Sequence, residues 1–128
     1  MSVKLIAVDM DGTFLDDSKK YNKEKFLAQY QQLKAQGSKF VVASGNQYYQ
    51  LKSFYPEIEA DIAFVAENGA YIVNEGKDLS VAELSRESVA KILAFIDATP
   101  GLNTVICGRD SAYILASQPE AFYQKMKN

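Results

Sequence analysis

Short apolar runs alternate with helix-period stretches through the first half of the chain, and that alternation predicts strands and helices in layers. Val3 to Val8 is nearly continuous in apolar residues and stops at Asp9, which predicts a strand buried on both faces. Asp9 to Lys20 is rich in Asp, Gly and Ser and reads as loop. A helix follows: Asn22 supplies its cap, Phe26, Tyr30 and Leu33 recur at i, i+4 and i+7, and Gly37 ends it. Lys39 to Ala43 predicts a second buried strand and Ser44-Gly45-Asn46 a tight turn. Gln47 to Tyr55 predicts a second helix closed by Pro56, and Ile62 to Ala66 a third strand. Strand, helix, strand, helix, strand is the order of an α/β protein with a Rossmann-like, doubly wound parallel sheet.

The pattern then changes. Ala70 to Val73 and Asp78 to Leu84 flank the hairpin-like turn Asn74-Glu75-Gly76. An amphipathic helix carries Val89, Ile92, Leu93 and Ile96 on one face and ends at Thr99-Pro100-Gly101. Two strand-like runs, Asn103 to Cys107 and Ala112 to Ala116, surround Gly108-Arg109-Asp110-Ser111, and Pro119 suits the first position of a last helix. The expected division is residues 1–81 as an α/β core and residues 82–128 as an α+β segment.

Composition narrows the function. The 128 residues are 48% hydrophobic and 23% charged, ordinary for a globular domain, with a net charge of −2. With no basic run, neither nucleic acid nor an anionic membrane is an expected partner. A single cysteine, Cys107, forms no disulfide within the chain and reads as a small core residue. The absence of histidine excludes Cys/His metal clusters and both Ser-His-Asp and Cys-His catalysis within these residues. The N-terminal apolar run is too short for a signal peptide or a membrane span, so the expected location is cytoplasmic.

The polar residues that carry chemistry lie at strand ends, where open α/β sheets bind ligands. Asp9 and Asp11 follow the first strand, Ser44 the second, and Glu67-Asn68-Gly69 the third. Two carboxylates two residues apart suit a hard cation such as Mg2+. Gly12 permits a tight turn, and the exposed N–H groups of such a turn attract an anion. Structural readings compete: the two Asp residues as turn caps, Ser44 as a helix N-cap, and Thr13 and Asn68 as loop supports. Tyr48 and Tyr49 read as helix-packing residues, Asp16 and Asp17 as solvated loop, and Arg109-Asp110 as a hairpin tip.

DMDGT (Asp9 to Thr13) resembles the first motif of the haloacid dehalogenase-like hydrolases. VVASGN (Val41 to Asn46) resembles their second motif, and AENGA (Ala66 to Ala70) a segment of the Cof-type sugar-phosphatase subgroup with a large α+β cap. The resemblance runs from Met1 to about Ala116 and covers the N-terminal portion of the family's length. It implies an incomplete α/β core followed by the beginning of the cap. It also implies a Mg2+-dependent phosphatase of small phosphorylated metabolites, sugar phosphates among them. Asp9 would form an aspartyl-phosphate, and Asp11 would act as general acid and then base, a role suited by a pKa above that of free Asp. Asp9 and Asp11 would hold the metal, Asp11 through its carbonyl. Met10, Gly12, Thr13, Ser44, Gly45 and Asn68 would contact phosphate or substrate.

Two family motifs have no counterpart in these residues: a Lys beside the nucleophile, and an acidic Gly-Asp stretch that completes the metal shell. Little or no turnover is therefore expected from these residues alone. In the family the first strand is central. Here it is expected at an unpaired edge, which favours a homodimer or strand exchange. A non-catalytic binding or assembly module is the alternative function. A receiver-like domain, which also uses a strand-end Asp, is disfavoured by the cap-like segment.

Overall fold

The computed structural model describes residues 3–127. The chain divides into two compact units, Met1–Ala82 and Glu83–Asn128. The first contains β1 (Leu5–Val8), α1 (Lys23–Ala35), β2 (Lys39–Ala43), α2 (Tyr48–Ser53), β3 (Ala63–Ala66), a 3-10 turn (Glu67–Gly69), β4 (Tyr71–Asn74) and β5 (Lys77–Val81). The five strands form one sheet in the order β1-β2-β3-β4-β5. β1, β2 and β3 are parallel, and β4 and β5 add antiparallel. The α/β class expected from the alternation of apolar runs and helical stretches is the class observed.

Register and alternation explain the core. Ile6 pairs with Phe40, Val8 with Val42, Val42 with Phe64, and Ala66 with Tyr71, so these side chains share one face of the pleat. They pack in one cluster with Phe26 and Tyr30 of α1, Leu51 of α2, and Tyr55, Ile58 and Ile62 of the segment after it. Asn22 caps α1 as expected, its side chain accepting from the Lys25 N–H at 3.0 Å.

β1 corrects one expectation. It is not buried on both faces: Ile6 and Val8 are half-buried, while Ala7 is exposed and Leu5 keeps 56% of its surface. The reason is its place at the edge of the sheet. Only β2 pairs with it among the described residues, and α1 and α2 contribute to the face opposite Leu5 and Ala7.

The turn from β3 to β4 reverses the chain through three consecutive left-handed residues, Glu67 (φ 54°), Asn68 (φ 55°) and Gly69 (φ 91°). The β4–β5 hairpin turns at Glu75 (φ 50°) and Gly76 (φ 73°), both with the positive φ that a two-residue type I′ loop requires.

The second unit contains α3 (Arg86–Asp97), β6 (Ile106–Cys107), β7 (Ala112–Tyr113) and α4 (Glu120–Lys127). Its strands are far shorter than the apolar runs predict, two residues each in an antiparallel pair closed by Gly108 N–H donating to the Ser111 carbonyl at 2.9 Å. Cys107 is exposed, against the expectation of a core position, because the hairpin is too short to carry a covering layer. On α3, Val89, Leu93 and Ile96 are half-buried but Ile92 is 45% exposed. Pro119 lies one residue before α4 rather than at its first position, its carbonyl accepting from the N–H groups of Phe122 and Tyr123.

Candidate active site

The Asp9-Met10-Asp11 stretch continues the alternation of β1 past its end. Asp9 and Asp11 face out, and Met10 between them is fully buried. Tyr55 donates its hydroxyl to the Met10 sulfur at 3.2 Å, and burial pushes the Tyr55 phenol far up. Phe14 anchors the loop from its other end, its ring centroid 5.0 Å from those of both Tyr21 and Phe26 and 5.8 Å from that of Tyr55. Leu15 is buried too, and the Met10 carbonyl accepts from its N–H at 2.9 Å. The aromatic core thus fixes both ends of the acidic loop and leaves its carboxylates outside. Met10, expected to meet the substrate, has its side chain in the core, so only its backbone remains for such a role.

Gly12 has φ 74°, a left-handed conformation within the loop where a tight turn was expected, and nothing lies within 4 Å of where a Cβ would stand. Thr13 donates its hydroxyl to Asp9 Oδ2 at 3.3 Å, which leaves Oδ1 of Asp9 without this tie.

The three strand ends are joined by hydrogen bonds. Asn46 Nδ2 donates to Asp11 Oδ2 at 3.1 Å, linking the loop after β2 to the loop after β1. The Glu67 N–H donates to the Asn46 carbonyl at 3.1 Å and the Asn68 N–H to the Ser44 carbonyl at 3.2 Å, linking the loop after β3 to the loop after β2. Gly45 is needed here for space: a Cβ on it would stand 3.0 Å from Asn68 Oδ1. Ser44 Oγ accepts from the Asn46 N–H at 3.2 Å, closing the turn instead of capping α2, whose cap position is Gln47. Asn68 is exposed and held by strained backbone at the centre of this junction. Tyr48 packs against the core, whereas Tyr49 is 47% exposed.

Two residues outside the predicted set belong to the site, Lys19 and Asn46. Lys19 Nζ lies 2.6 Å from Asp11 Oδ1. Asp16, read from sequence as solvated loop, organises the turn that delivers it: Asp16 Oδ1 accepts from the Ser18 N–H at 2.8 Å and the Lys20 N–H at 3.0 Å. An Asp followed at short range by small and polar residues is a turn signal that could have been read from the sequence. The hydrogen bonds from Lys19 and Asn46 hold the Asp11 carboxyl below the usual carboxylate range, contrary to the raised pKa expected of a general acid.

Asp9 and Asp11 offer hard oxygen donors of the kind Mg2+ takes, so the donor chemistry fits. Among the described residues no group of three or more His, Cys, Asp or Glu side chains is placed to hold a metal, so a cation held by these two residues would need further donors.

Comparison with known proteins gives this geometry its relatives. The model of the haloacid dehalogenase-like hydrolases matches residues 6–128. A 5-amino-6-(5-phospho-D-ribitylamino)uracil phosphatase of Escherichia coli K12, YbjI, is 59% identical over 121 residues, covering 94% of this chain and 45% of its own length. The crystal structure of SMU.1108c from Streptococcus mutans UA159 superposes with a TM-score of 0.87 at 34% identity, over 98% of this chain and 48% of that one. A haloacid dehalogenase-like hydrolase from B. subtilis shares the fold at a TM-score of 0.73 and 23% identity, over 97% and 42% of the two chains. The chain therefore spans about half the length of these relatives. Strand-end carboxylates, the glycine turn behind them and the matched family model agree, and the chain belongs to the haloacid dehalogenase-like hydrolases.

Proposed function

We propose that this chain carries the nucleophile half of a phosphatase acting on small phosphorylated metabolites. The observation that supports it best is the junction of three strand ends around Asp11, Asn46 and Asn68. The substrate class is a phosphate monoester of a polyhydroxylated metabolite. Sugar phosphates belong to it, as does the phosphoribityl compound named for the Escherichia coli relative.

In this reading Asp9 Oδ1 attacks phosphorus while Thr13 steadies Oδ2. The ester oxygen leaves with a proton from Asp11, and an aspartyl-phosphate forms on Asp9. Asp11 then takes a proton from the water that hydrolyses it, which restores the Asp9 carboxylate and the acid form of Asp11 and releases phosphate. Dividing a very slow hydrolysis into two displacements lowers each barrier. Ser44 Oγ and the Gly45 N–H bind phosphate oxygens. Asp9 and the Asp11 carbonyl would hold Mg2+, whose positive charge would offset the repulsion between carboxylate and phosphate. The lowered pKa of Asp11 describes the site without substrate. To serve as acid, Asp11 has to carry a proton, which the hydrogen bonds from Lys19 and Asn46 to its ionised form oppose.

Residues 83–128 are the beginning of an α+β cap in this reading. No helix among the described residues is long and apolar enough to cross a membrane, and a cytoplasmic location remains part of the proposal. The outer edge of β1, which no strand pairs among the described residues, with Leu5 and Ala7 exposed, favours association of two copies. Sedimentation at micromolar concentration checks this: a dimer is expected, and a clean monomer counts against it.

The test of the function is Mg2+-dependent binding of beryllium trifluoride, a phosphoryl mimic, followed by calorimetry. Binding that disappears in Asp9→Asn is expected, with little turnover of a sugar-phosphate panel by the chain alone. Binding unchanged in Asp9→Asn sinks the assignment. A non-catalytic binding module is the second reading, favoured by the lack, among the described residues, of three or more His, Cys, Asp or Glu side chains placed to hold a metal. It predicts ligand binding with no dependence on Asp9.

A further inference from the structure

Both carboxylate oxygens of Asp11 are occupied, by two donors of different character. Oδ2 accepts from Asn46, which is fixed: its N–H bonds Ser44 Oγ and its carbonyl accepts from Glu67. Oδ1 accepts from Lys19, whose side chain is 64% exposed on a long flexible stem. Each oxygen keeps a second lone pair, so a leaving group that meets Asp11 shares an oxygen with one of these donors. The network ties Asn46 far more firmly than Lys19, so the Lys19 side is the one open to exchange.

The backbone at Lys19 points the same way. Lys19 has φ 58°, a left-handed conformation that costs free energy for a residue with a Cβ. The turn is held there by the Asp16 carboxylate, by the Lys19 N–H donating to the Asp16 carbonyl at 2.9 Å, and by the Asp16 N–H donating to the Lys20 carbonyl at 2.8 Å. Glycine would adopt this φ without strain, yet a lysine stands there with its ammonium on Asp11.

We infer that Lys19 is a positioning residue that latches Asp11 Oδ1 in the substrate-free site and is displaced from it when a phosphate ester enters. The inference rests on the phosphoryl-transfer reading of this site. The ammonium moves from one anion to another, from the Asp11 carboxylate to the phosphoryl oxygens, so its charge stays neutralised throughout. Asn46 keeps hold of Oδ2, and the freed Oδ1 becomes the oxygen that faces the leaving group. The latch also selects: an anionic ester draws the ammonium away, whereas a neutral molecule has no charge with which to do so.

The experiment uses the whole chain with inorganic phosphate as probe and Mg2+ present. Calorimetry reads affinity, and the 13C resonance of the Asp11 carboxyl carbon reads the latch. Lys19→Gly keeps the left-handed turn and removes the ammonium; Lys19→Arg keeps a cation. Phosphate is expected to shift the Asp11 resonance in the wild type, Lys19→Gly to weaken phosphate binding about fivefold, and Lys19→Arg to stay within about twofold of the wild type. Equal phosphate affinity in Lys19→Gly and wild type overturns the latch, as does an Asp11 resonance that phosphate leaves unmoved. Ser44→Ala and Asp9→Asn separate the two levels. If wild-type phosphate binding is absent, or indifferent to both substitutions, the site assignment fails and the latch fails with it. If both matter while Lys19→Gly does not, only the latch fails.

Discussion

The two units are built from similar local signals and reach different ends. In Met1–Ala82 the apolar positions close over one another, and Phe64, Tyr55, Met10, Leu51, Ile62, Val42 and Val73 are fully buried. In Glu83–Asn128 no described residue is buried, and Phe95 and Tyr113 keep 66% and 54% of their surface. Amphipathic patterning alone does not make a core. α3 has an apolar stripe and a cap, but its unit has no broad sheet for that stripe to cover. A two-residue hairpin offers too little area, whereas five strands in one sheet let every inward residue of β2 and β3 find neighbours on both sides.

The comparison breaks most visibly with a pair of large-to-small substitutions. Phe64→Ala removes a fully buried ring and is expected to destabilise the first unit by about 3–5 kcal/mol in urea unfolding. Phe95→Ala removes a larger share of exposed surface and is expected to change the same transition by less than about 0.5 kcal/mol. A comparable loss from both would mean that the second unit shares a cooperative core, against the burial just described.

Glycine substitutions sharpen the contrast at loops. In Gly45→Ala the new methyl meets the Asn68 amide at 3.0 Å, so Asn68 has to move. The expected result is a loss of phosphate affinity of about threefold or more, with a small stability change. In Gly108→Ala it meets the Tyr113 ring at 2.6 Å and the Ser111 carbonyl at 3.2 Å, so the β6–β7 hairpin opens. Faster amide exchange at Ile106 and Tyr113 with no shift in the main unfolding transition is expected. A shift in that transition would tie the hairpin to the core.

What the sequence made legible follows the same division. β2, β3 and α1 were readable because their periodicity, caps and stops all agree, as at Asn22 and Gly37. The strand lengths of β6 and β7 were not, because an apolar run reports a preference for burial and cannot report whether a covering layer exists. β1 was misread for the same reason: Leu5 and Ala7 look buried in sequence, yet nothing in the sequence shows that α1 and α2 contribute only to the opposite face. The placement of Asp9, Asp11, Ser44 and Asn68 just after strands was legible. Lys19 was not, because its approach to Asp11 depends on the left-handed turn built by Asp16, eight residues of loop that carry no periodicity. The lowered pKa of Asp11 in the substrate-free site has the same origin, the hydrogen bond from a lysine that lies outside the motif.

Helix caps offer a more even comparison. Asn22 accepts from the Lys25 N–H at 3.0 Å and Ser85 from the Ser88 N–H at 3.1 Å, so the two caps are chemically alike. Asn22→Ala is expected to lower the stability of the first unit by about 1 kcal/mol, because α1 is packed and its end is coupled to the core. Ser85→Ala should lower helicity in α3 by circular dichroism while leaving the main transition in place. Equal effects on that transition would again argue for one cooperative body.

The smallest effect expected is the dependence on pH. Asp11, Glu57 and Glu75 are each held below the ordinary carboxylate pKa, chiefly by hydrogen bonds from Lys19, Lys23 and Lys39. A carboxylate whose pKa is lower in the folded chain contributes stability above its unfolded pKa and loses it as pH falls through the folded one. Urea midpoints should therefore hold steady from neutral pH down to about pH 5 and decline below about pH 4. All three pairs are exposed, so added salt should blunt the decline. Replacing Lys39 by Met removes the partner of Glu75 and should flatten part of the curve, whereas Lys91→Met, in the exposed Glu87–Lys91 pair of α3, should leave it as it was. If Lys91→Met flattened the curve as much as Lys39→Met, the acid-sensitive term would lie in the second unit, and the placing of stability in the first would have to be given up.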